Sequence, residues 1–491
     1  MEFPKKQQKN KAPLLNEKNK ILLSSGISIL YILINTILIA NEMYWFSLLP
    51  IIVVFAFTFL YRLDFIYILV ALLTPMSIDI TNFGTSVGLA MPTEPILAAL
   101  LVVFVFKLFH DKSYDRKIFT HPISYSIYFY LIWMFITVIT SVEIAVSIKW
   151  FVAKLWLIIP MYFFGIAVFK DIKNIPRFVW AYTLGFIPVI IFTISVHAAN
   201  GFSDHAAHWA MSPFFNDHTS YGAMLAMVIP IIFGFTISPE KRSQNTRLFT
   251  FIALAILIIA IYFSISRAAW LSLLGAMGVY FMIKFRIKLA WVLTGLFVVL
   301  AVAFSFKEQI IMKMEKNKQD SSDNFVEHVQ SVSNIATDAS NLERINRWNS
   351  ALRLFIEKPI FGWGPGTYQF VYAPYQSVAD KTVISTNVGN KGTAHSEYLL
   401  ILSEEGVFGL LSFVIILILV ATTSLRVYKE SKNKIARKYN LLLFLGLITY
   451  YAHAFLNNFL DTDKAAVPFW GFIAAIVAID LFHKDKKEIE E

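Results

Sequence analysis

Residues 340–370, SNLERINRWNSALRLFIEKPIFGWGPGTYQF, and residues 394–420, AHSEYLLILSEEGVFGLLSFVIILILV, decide how the chain is read. A segment with three arginines and a glycine-rich turn stand together in a polar loop. A histidine closes that loop immediately before a long apolar run. Such a loop edge, polar on one side and membrane-length apolar on the other, is where a site at a bilayer surface is built.

Outward from this stretch the chain is almost all membrane. Its 491 residues are 57% hydrophobic with a mean hydropathy of +0.60, too apolar for a soluble domain, and many runs approach the ~20 residues that span a bilayer. They fall near 21–40, 43–61, 64–80, 93–109, 122–140, 151–169, 178–196, 219–237, 248–264, 269–283, 287–306, 397–420, 440–458 and 465–482. The expectation is an all-α polytopic membrane protein with about 12–14 transmembrane helices and one large extracytoplasmic loop. Its expected organisation is a basic tail over 1–20, an N-terminal transmembrane domain over 21–306 with about 11 spans, and a loop over 307–396 carrying an amphipathic helix at 341–357. C-terminal spans over 397–482 and a tail over 483–491 complete it. The first run follows a lysine-rich tail and lacks a small-residue cleavage site, so it reads as a retained span. The absence of cysteine excludes disulfides, thiolate zinc sites and thiol catalysis.

The net charge of +10 follows topology. With the N-terminus inside, 29 of the 43 lysines and arginines fall in the tails and in connections on that face, as short basic loops on the cytoplasmic side should. Both termini are therefore expected inside and the 307–396 loop outside, and no nucleic-acid partner is needed. Lys149, Lys154, Arg267 and Lys464 depart from the rule, and a charge so placed needs a local reason. Together with the loop arginines, the first three suit an anionic ligand.

In the loop helix, Ser340 is expected as N-cap with Glu343 completing a capping box, and Pro359 with Gly362 ends it. On a helical wheel Ile345, Trp348, Leu352 and Phe355 form one apolar stripe, with Arg344 and Arg347 at its border and Arg353 opposite. The stripe is expected to lie on the membrane domain. Arg344 and Arg347 either grip a diphosphate through bidentate charge-assisted bonds or snorkel from an interfacial helix. The Phe361–Gly366 segment precedes no β–α unit and reads as a tight turn between interfacial aromatics. His395 stands at the boundary of membrane and water, where a neutral imidazole takes a proton from an incoming hydroxyl, or else caps a helix. Glu397 either orients it or is a first-turn carboxylate favoured by the helix dipole. Arg267 breaks two apolar runs with almost no loop, and its partner is an anionic ligand or a carboxylate such as Asp461 or Glu94. His197, His205, His208 and His218 form no HExxH pattern and no i, i+4 pair, so the 197–218 loop reads as an ordinary connection capped by Asn216 or Asp217, with no metal assigned. Asp79 and Glu94 keep a metal possible.

These pieces resemble the O-antigen ligase and polymerase family of bacterial envelope glycosyltransferases from about residue 200 onward. The resemblance is carried by His395-Ser396 with Gly406 and Gly409 at the family spacing, Arg267 with Leu271, Arg347-Trp348 followed by Pro359, Gly362 and Gly364, and Asn216-Asp217-His218 before a span. It implies a GT-C-like membrane glycosyltransferase that moves a glycan from a polyprenyl (undecaprenyl) diphosphate to a hydroxyl acceptor, such as a lipopolysaccharide core, with inversion and without a metal or other cofactor. In that setting His395 is the base and Arg267, Arg347, Arg344 and Lys154 hold the diphosphate, with Glu397 and Asp461 in support. The partners implied are the lipid-linked donor, a glycan or lipid acceptor and the membrane, at the outer face of the bacterial inner membrane. A polysaccharide polymerase or a protein O-oligosaccharyltransferase shares the donor chemistry. A lipid-linked oligosaccharide flippase is the alternative of another class, although no repeat relates the two halves.

Overall fold

The computed structural model describes residues 17–50, 61–83, 88–110, 114–238, 243–288, 339–377 and 392–485, with isolated positions between them. Two compact units are distinguished, Met1–Ile66 and Tyr67–Glu491. In the first, α1 (Glu17–Ala40) is apolar nearly all round, Tyr31 stacks on Phe46, and Ser47 donates to Asn35 at 3.0 Å.

The chain continues with α2 (Leu63–Leu73), α3 (Thr93–His110), α4 (Pro122–Ile139), α5 (Ile144–Ile159), α6 (Asn174–Ala199), α7 (His218–Thr236) and α8 (Gln244–Phe263). Then come α9 (Arg267–Lys284), α10 (Ala339–Glu357), α11 (Glu397–Glu430), α12 (Lys434–His453) and α13 (Asp463–Phe482). Among the described residues nine helices are long and apolar enough to cross a membrane: α1, α3, α4, α5 with its continuation to Val168, α6, α7, α8, α11 and α13. The protein is thus an all-α multi-pass membrane protein. Helices α9 and α12 occupy two more of the expected runs, while those at 43–61 and 287–306 lie largely outside the described residues. The run at 64–80 is a short helix: Pro75 sits in a closing 3₁₀ turn, and the chain then pairs β1 (Ile78–Asp79) antiparallel with β2 (Ala90–Met91).

Helix α13 is the centre post of the second unit, buried over 89% of its apolar window. Its sequence explains why: Ala465, Ala466, Gly471, Ala474, Ala475 and Ala478 let neighbouring helices approach closely, the packing that drives helix association in lipid. A Cβ on Gly471 would sit 2.4 Å from the Phe178 ring. Both ends are pinned by polar pairs. Asp480 meets Arg426 at 2.6 Å and His121 and Lys484 at 3.3 Å. At the other end Asp463 accepts from Ser77 and Thr93, and the Lys464 ammonium donates to the carbonyls of Thr74 and Ser77 at 2.9 and 2.6 Å.

Helix α11 is broken within the bilayer-length segment, at Gly406 (φ 70°, ψ −168°). The glycine-rich segment fills the break. Trp363 N–H donates to Ser403 O, Gly364 N–H to Glu404 O, and Val407 N–H to Pro359 O, at 2.8–3.1 Å. The Glu404 carboxylate accepts from the backbone N–H of Gly366 and Tyr368 at 2.9 and 2.8 Å. Backbone groups freed by a broken membrane helix must find such partners. The segment read as a turn does turn, at 359–361 and 365–366, and its backbone also docks into the break. Its glycines are required: Gly362 has φ 66° and a Cβ there would lie 2.3 Å from the Glu404 carbonyl carbon, whereas Gly201 has φ 67° with nothing within 4 Å. Gly201→Ala is expected to cost about 1 kcal/mol for the left-handed backbone alone, and Gly362→Ala about 1–3 kcal/mol more for the collision, compared by thermal unfolding in detergent.

Helix α10 corrects the wheel. Its buried face is Glu343, Asn346, Arg347, Ser350, Ala351 and Leu354, whereas Ile345 and Leu352 of the expected inner stripe are exposed. The inner face is polar yet satisfied. Glu343 accepts from Arg347 Nε at 2.5 Å, and also from Ser385 and Asn346, so it takes part in an internal ion pair. Asn346 donates to Gln376 at 2.8 Å, and Tyr368 O–H donates to the Arg347 carbonyl at 2.9 Å. A wheel ranks faces by apolarity and cannot see polar groups that pair with one another. The side chain of Ser340 lies outside the described residues.

Candidate functional site

One cavity of about 600 Å³ in the second unit collects residues from both ends of the sequence. Its walls include Lys154 from α5, Asp217 before α7, Arg347 from α10, His395, and Asp461 from the connection into α13. A smaller cleft of about 270 Å³ between α6, α7 and α8 is nearly all apolar, and none of the residues that line it is acidic or basic.

His395 occupies a left-handed backbone position (φ 48°) one residue before the N-cap of α11. The capping is done by Ser396, which accepts from Leu399 N–H at 3.5 Å. That removes the helix-capping alternative for the histidine. Trp348 Nε1–H holds the His395 carbonyl at 3.2 Å, so α10 fixes the backbone while the half-buried ring faces the cavity. Among the described residues no protein group hydrogen-bonds that ring. Burial, then the guanidinium groups of Arg344 and Arg347, push its pKa down to about 4, opposed by Asp217 and Glu343. The ring is neutral near pH 7. It offers a lone pair to a hydroxyl in the cavity.

Arg347 is 4% exposed, holds its guanidinium carbon 4.1 Å from the Tyr372 ring centroid, and shares its charge with Glu343. Lys154 is committed to Asp461 at 2.6 Å and to the Leu460 carbonyl at 3.1 Å. Glu397 accepts from the backbone N–H of Phe459 and Leu460 and from Tyr450 O–H at 3.1–3.3 Å. It braces the connection between α12 and α13, and none of these partners is His395. Arg344 does not line the cavity, although its charge reaches His395. Arg267 is the exposed first residue of α9 and is likewise absent from the cavity wall. Of the expected site residues, the cavity thus unites His395, Arg347, Lys154 and Asp461, and leaves out Arg267, Arg344 and Glu397. Asp461, one expected carboxylate for Arg267, is the counter-ion of Lys154.

Two residues outside the expected catalytic and diphosphate-binding set also line the cavity. Lys149 is exposed on the cavity wall with no ion-pair partner among the described residues; its signal was its place among the charge-rule exceptions. Asp217, expected as a cap, does cap α7 through Ser220 N–H at 2.7 Å, but it also faces the cavity. In the 197–218 loop the Nδ1 atoms of His208 and His218 approach to 3.0 Å. No group of three or more metal-ligating side chains gathers among the described residues.

A multi-pass helical membrane protein with a cavity that holds charged side chains, walled by a loop helix and a histidine at the mouth of a broken span, is the class that fold and site define. Residues 251–414 match the family model of the O-antigen ligase domain, Wzy_C, and over that stretch the chain is similar to this family. The matched stretch includes Arg267, Arg347, the glycine-rich segment and His395, and ends inside α11. Lys149, Lys154, Asp217 and Asp461 lie outside it. No curated protein matches the chain.

Proposed function

We propose that the protein transfers a glycan from a polyprenyl diphosphate to a hydroxyl acceptor, in the manner of a ligase acting on a lipopolysaccharide core, at the outer face of the bacterial inner membrane. The observation that carries this reading is the neutral imidazole of His395, free of protein hydrogen bonds among the described residues, facing a cavity that also holds Arg347. His395 takes the acceptor's proton as its oxygen bonds to the sugar C1, and the C1–O bond to the lipid diphosphate breaks with the electron pair leaving on phosphate. Attack opposite the leaving group inverts the sugar carbon. Arg347, with the charge of Arg344 behind it, supplies positive charge where the diphosphate develops its own. Lys154 belongs instead with Asp461, as an internal pair. The excess of basic residues in the tails and in the connections on their side supports an extracytoplasmic position for the loop. The leaving group is already stable, so the proposed mechanism needs no metal.

The test is transfer in detergent from a glycan-loaded polyprenyl diphosphate, offered lipopolysaccharide core, a growing glycan chain or a protein acceptor in parallel. Product on the core alone is expected, at a rate unchanged by EDTA. Transfer to another acceptor reassigns the enzyme within its family. Loss of activity in EDTA with recovery on adding Mg²⁺ refutes the metal-free step, and failure with every acceptor refutes the transfer itself.

A further inference from the structure

The proposed chemistry uses one end of the cavity. The other is built by the face of α5 that carries Lys149, Trp150 and Trp156, by Asp79 of the β1–β2 hairpin, and by Glu94 in the first turn of α3. Three observations distinguish this end. The Trp150 indole is backed by Gly366, where a Cβ would lie 2.9 Å from the ring, so the ring is held as a wall. The Trp156 Nε1–H is buried without a hydrogen-bond partner among the described residues, a donor with no acceptor in the protein. Glu94 accepts from Ala90 N–H through one oxygen at 3.1 Å, while its other oxygen has no protein donor among the described residues.

A flat ring, an unused indole donor and an unused carboxylate oxygen are the recognition set for a sugar: a pyranose offers an apolar C–H face to stack and hydroxyls that both donate and accept. The charge balance selects further. Two ammonium groups, Lys149 and Lys464, stand among the three carboxylates of Asp79, Glu94 and Asp463, which leaves an excess of negative charge. A phosphorylated or carboxylated sugar is repelled there.

We infer that the Trp150–Glu94 end of the cavity is a subsite for a neutral pyranose of the donor glycan, stacked on Trp150 and held through Glu94 and Trp156. Its place in the reaction rests on the transferase reading: a glycan whose diphosphate sits at Arg347 must run along the cavity away from it.

The probes are the glycan released by mild acid from the polyprenyl-linked pool of the producing cells, and bare undecaprenyl diphosphate, each titrated against the full-length protein in detergent. Trp150→Ala is expected to weaken binding of the released glycan about tenfold, with Trp150→Tyr within about threefold of wild type and undecaprenyl diphosphate binding unchanged. Should Trp150→Ala not fold, Glu94→Gln decides, with a loss of about fivefold expected for the glycan alone. Equal glycan binding by the wild type and the folded variants overturns the subsite, as does absence of glycan binding to wild type. Preferential binding of a uronate-containing over a neutral oligosaccharide overturns the charge selection. If transfer fails in every assay while Trp150-dependent glycan binding persists, the transferase reading falls and the subsite stands.

Discussion

Replacing His395 by alanine is expected to lower kcat for glycan transfer by about 10²–10⁴-fold, the usual contribution of a positioned general base, while undecaprenyl diphosphate still binds. The effect should be large because among the described residues nothing else hydrogen-bonds the ring, so its lone pair has no competing duty in the protein. The pH profile separates a base from a spacer. With its pKa near 4 the free enzyme's imidazole stays neutral well below the usual histidine value of about 6.5, so kcat/KM should hold level down to about pH 5 and fall only beyond it. A bound diphosphate offsets the charges of Arg344 and Arg347 that disfavour the imidazolium, which raises the pKa in the complex. The acid limb of kcat should then lie at higher pH than that of kcat/KM. Stability carries the same sign: between the folded and unfolded pKa values the unfolded chain binds more protons, so this histidine makes the fold more stable as pH rises from about 4 to about 6.5. Full activity in the alanine variant, or coincident acid limbs, would remove His395 from the proposed step.

How much of this was legible in the sequence depends on whether the information is local. The membrane class, the run that becomes α13, the Asp217 cap and the placing of His395 just ahead of α11 all follow from hydropathy and neighbouring residues. The break at Gly406 did not, because a glycine inside an apolar run is tolerated in membrane helices and acquires meaning only when the 359–368 segment arrives to pair with it. Charge sidedness sorted the unusual cations by the face they approach but not by their direction around the bundle. It therefore grouped Arg267 with Lys149 and Lys154, although only the two lysines reach the cavity. The inner face of α10 was misassigned for a related reason: Glu343, Asn346 and Arg347 look like a solvated edge until Gln376, Tyr372 and Ser385 are seen to receive them.

Lys154 is where the sequence and the geometry suggest different duties, and a double substitution distinguishes them. The ammonium lies in a pair with Asp461 whose side chains are 9% and 15% exposed, beside the buried Glu397. Lys154→Met removes the positive member and leaves Asp461 without compensation, so a loss of about 3–5 kcal/mol of stability is expected, read as lowered thermal stability in detergent. Adding Asp461→Asn removes the stranded charge, and the double variant should recover most of that loss, because deleting a buried pair costs far less than halving it. If the pair is internal to the cavity wall, the double variant also binds undecaprenyl diphosphate within a few-fold of wild type. If Lys154 grips the diphosphate, as its intramembrane position alone suggested, stability returns but the donor affinity does not. Arg347→Gln calibrates the comparison, since its guanidinium is assigned to the diphosphate and its loss should weaken donor binding whatever the state of the Lys154 pair.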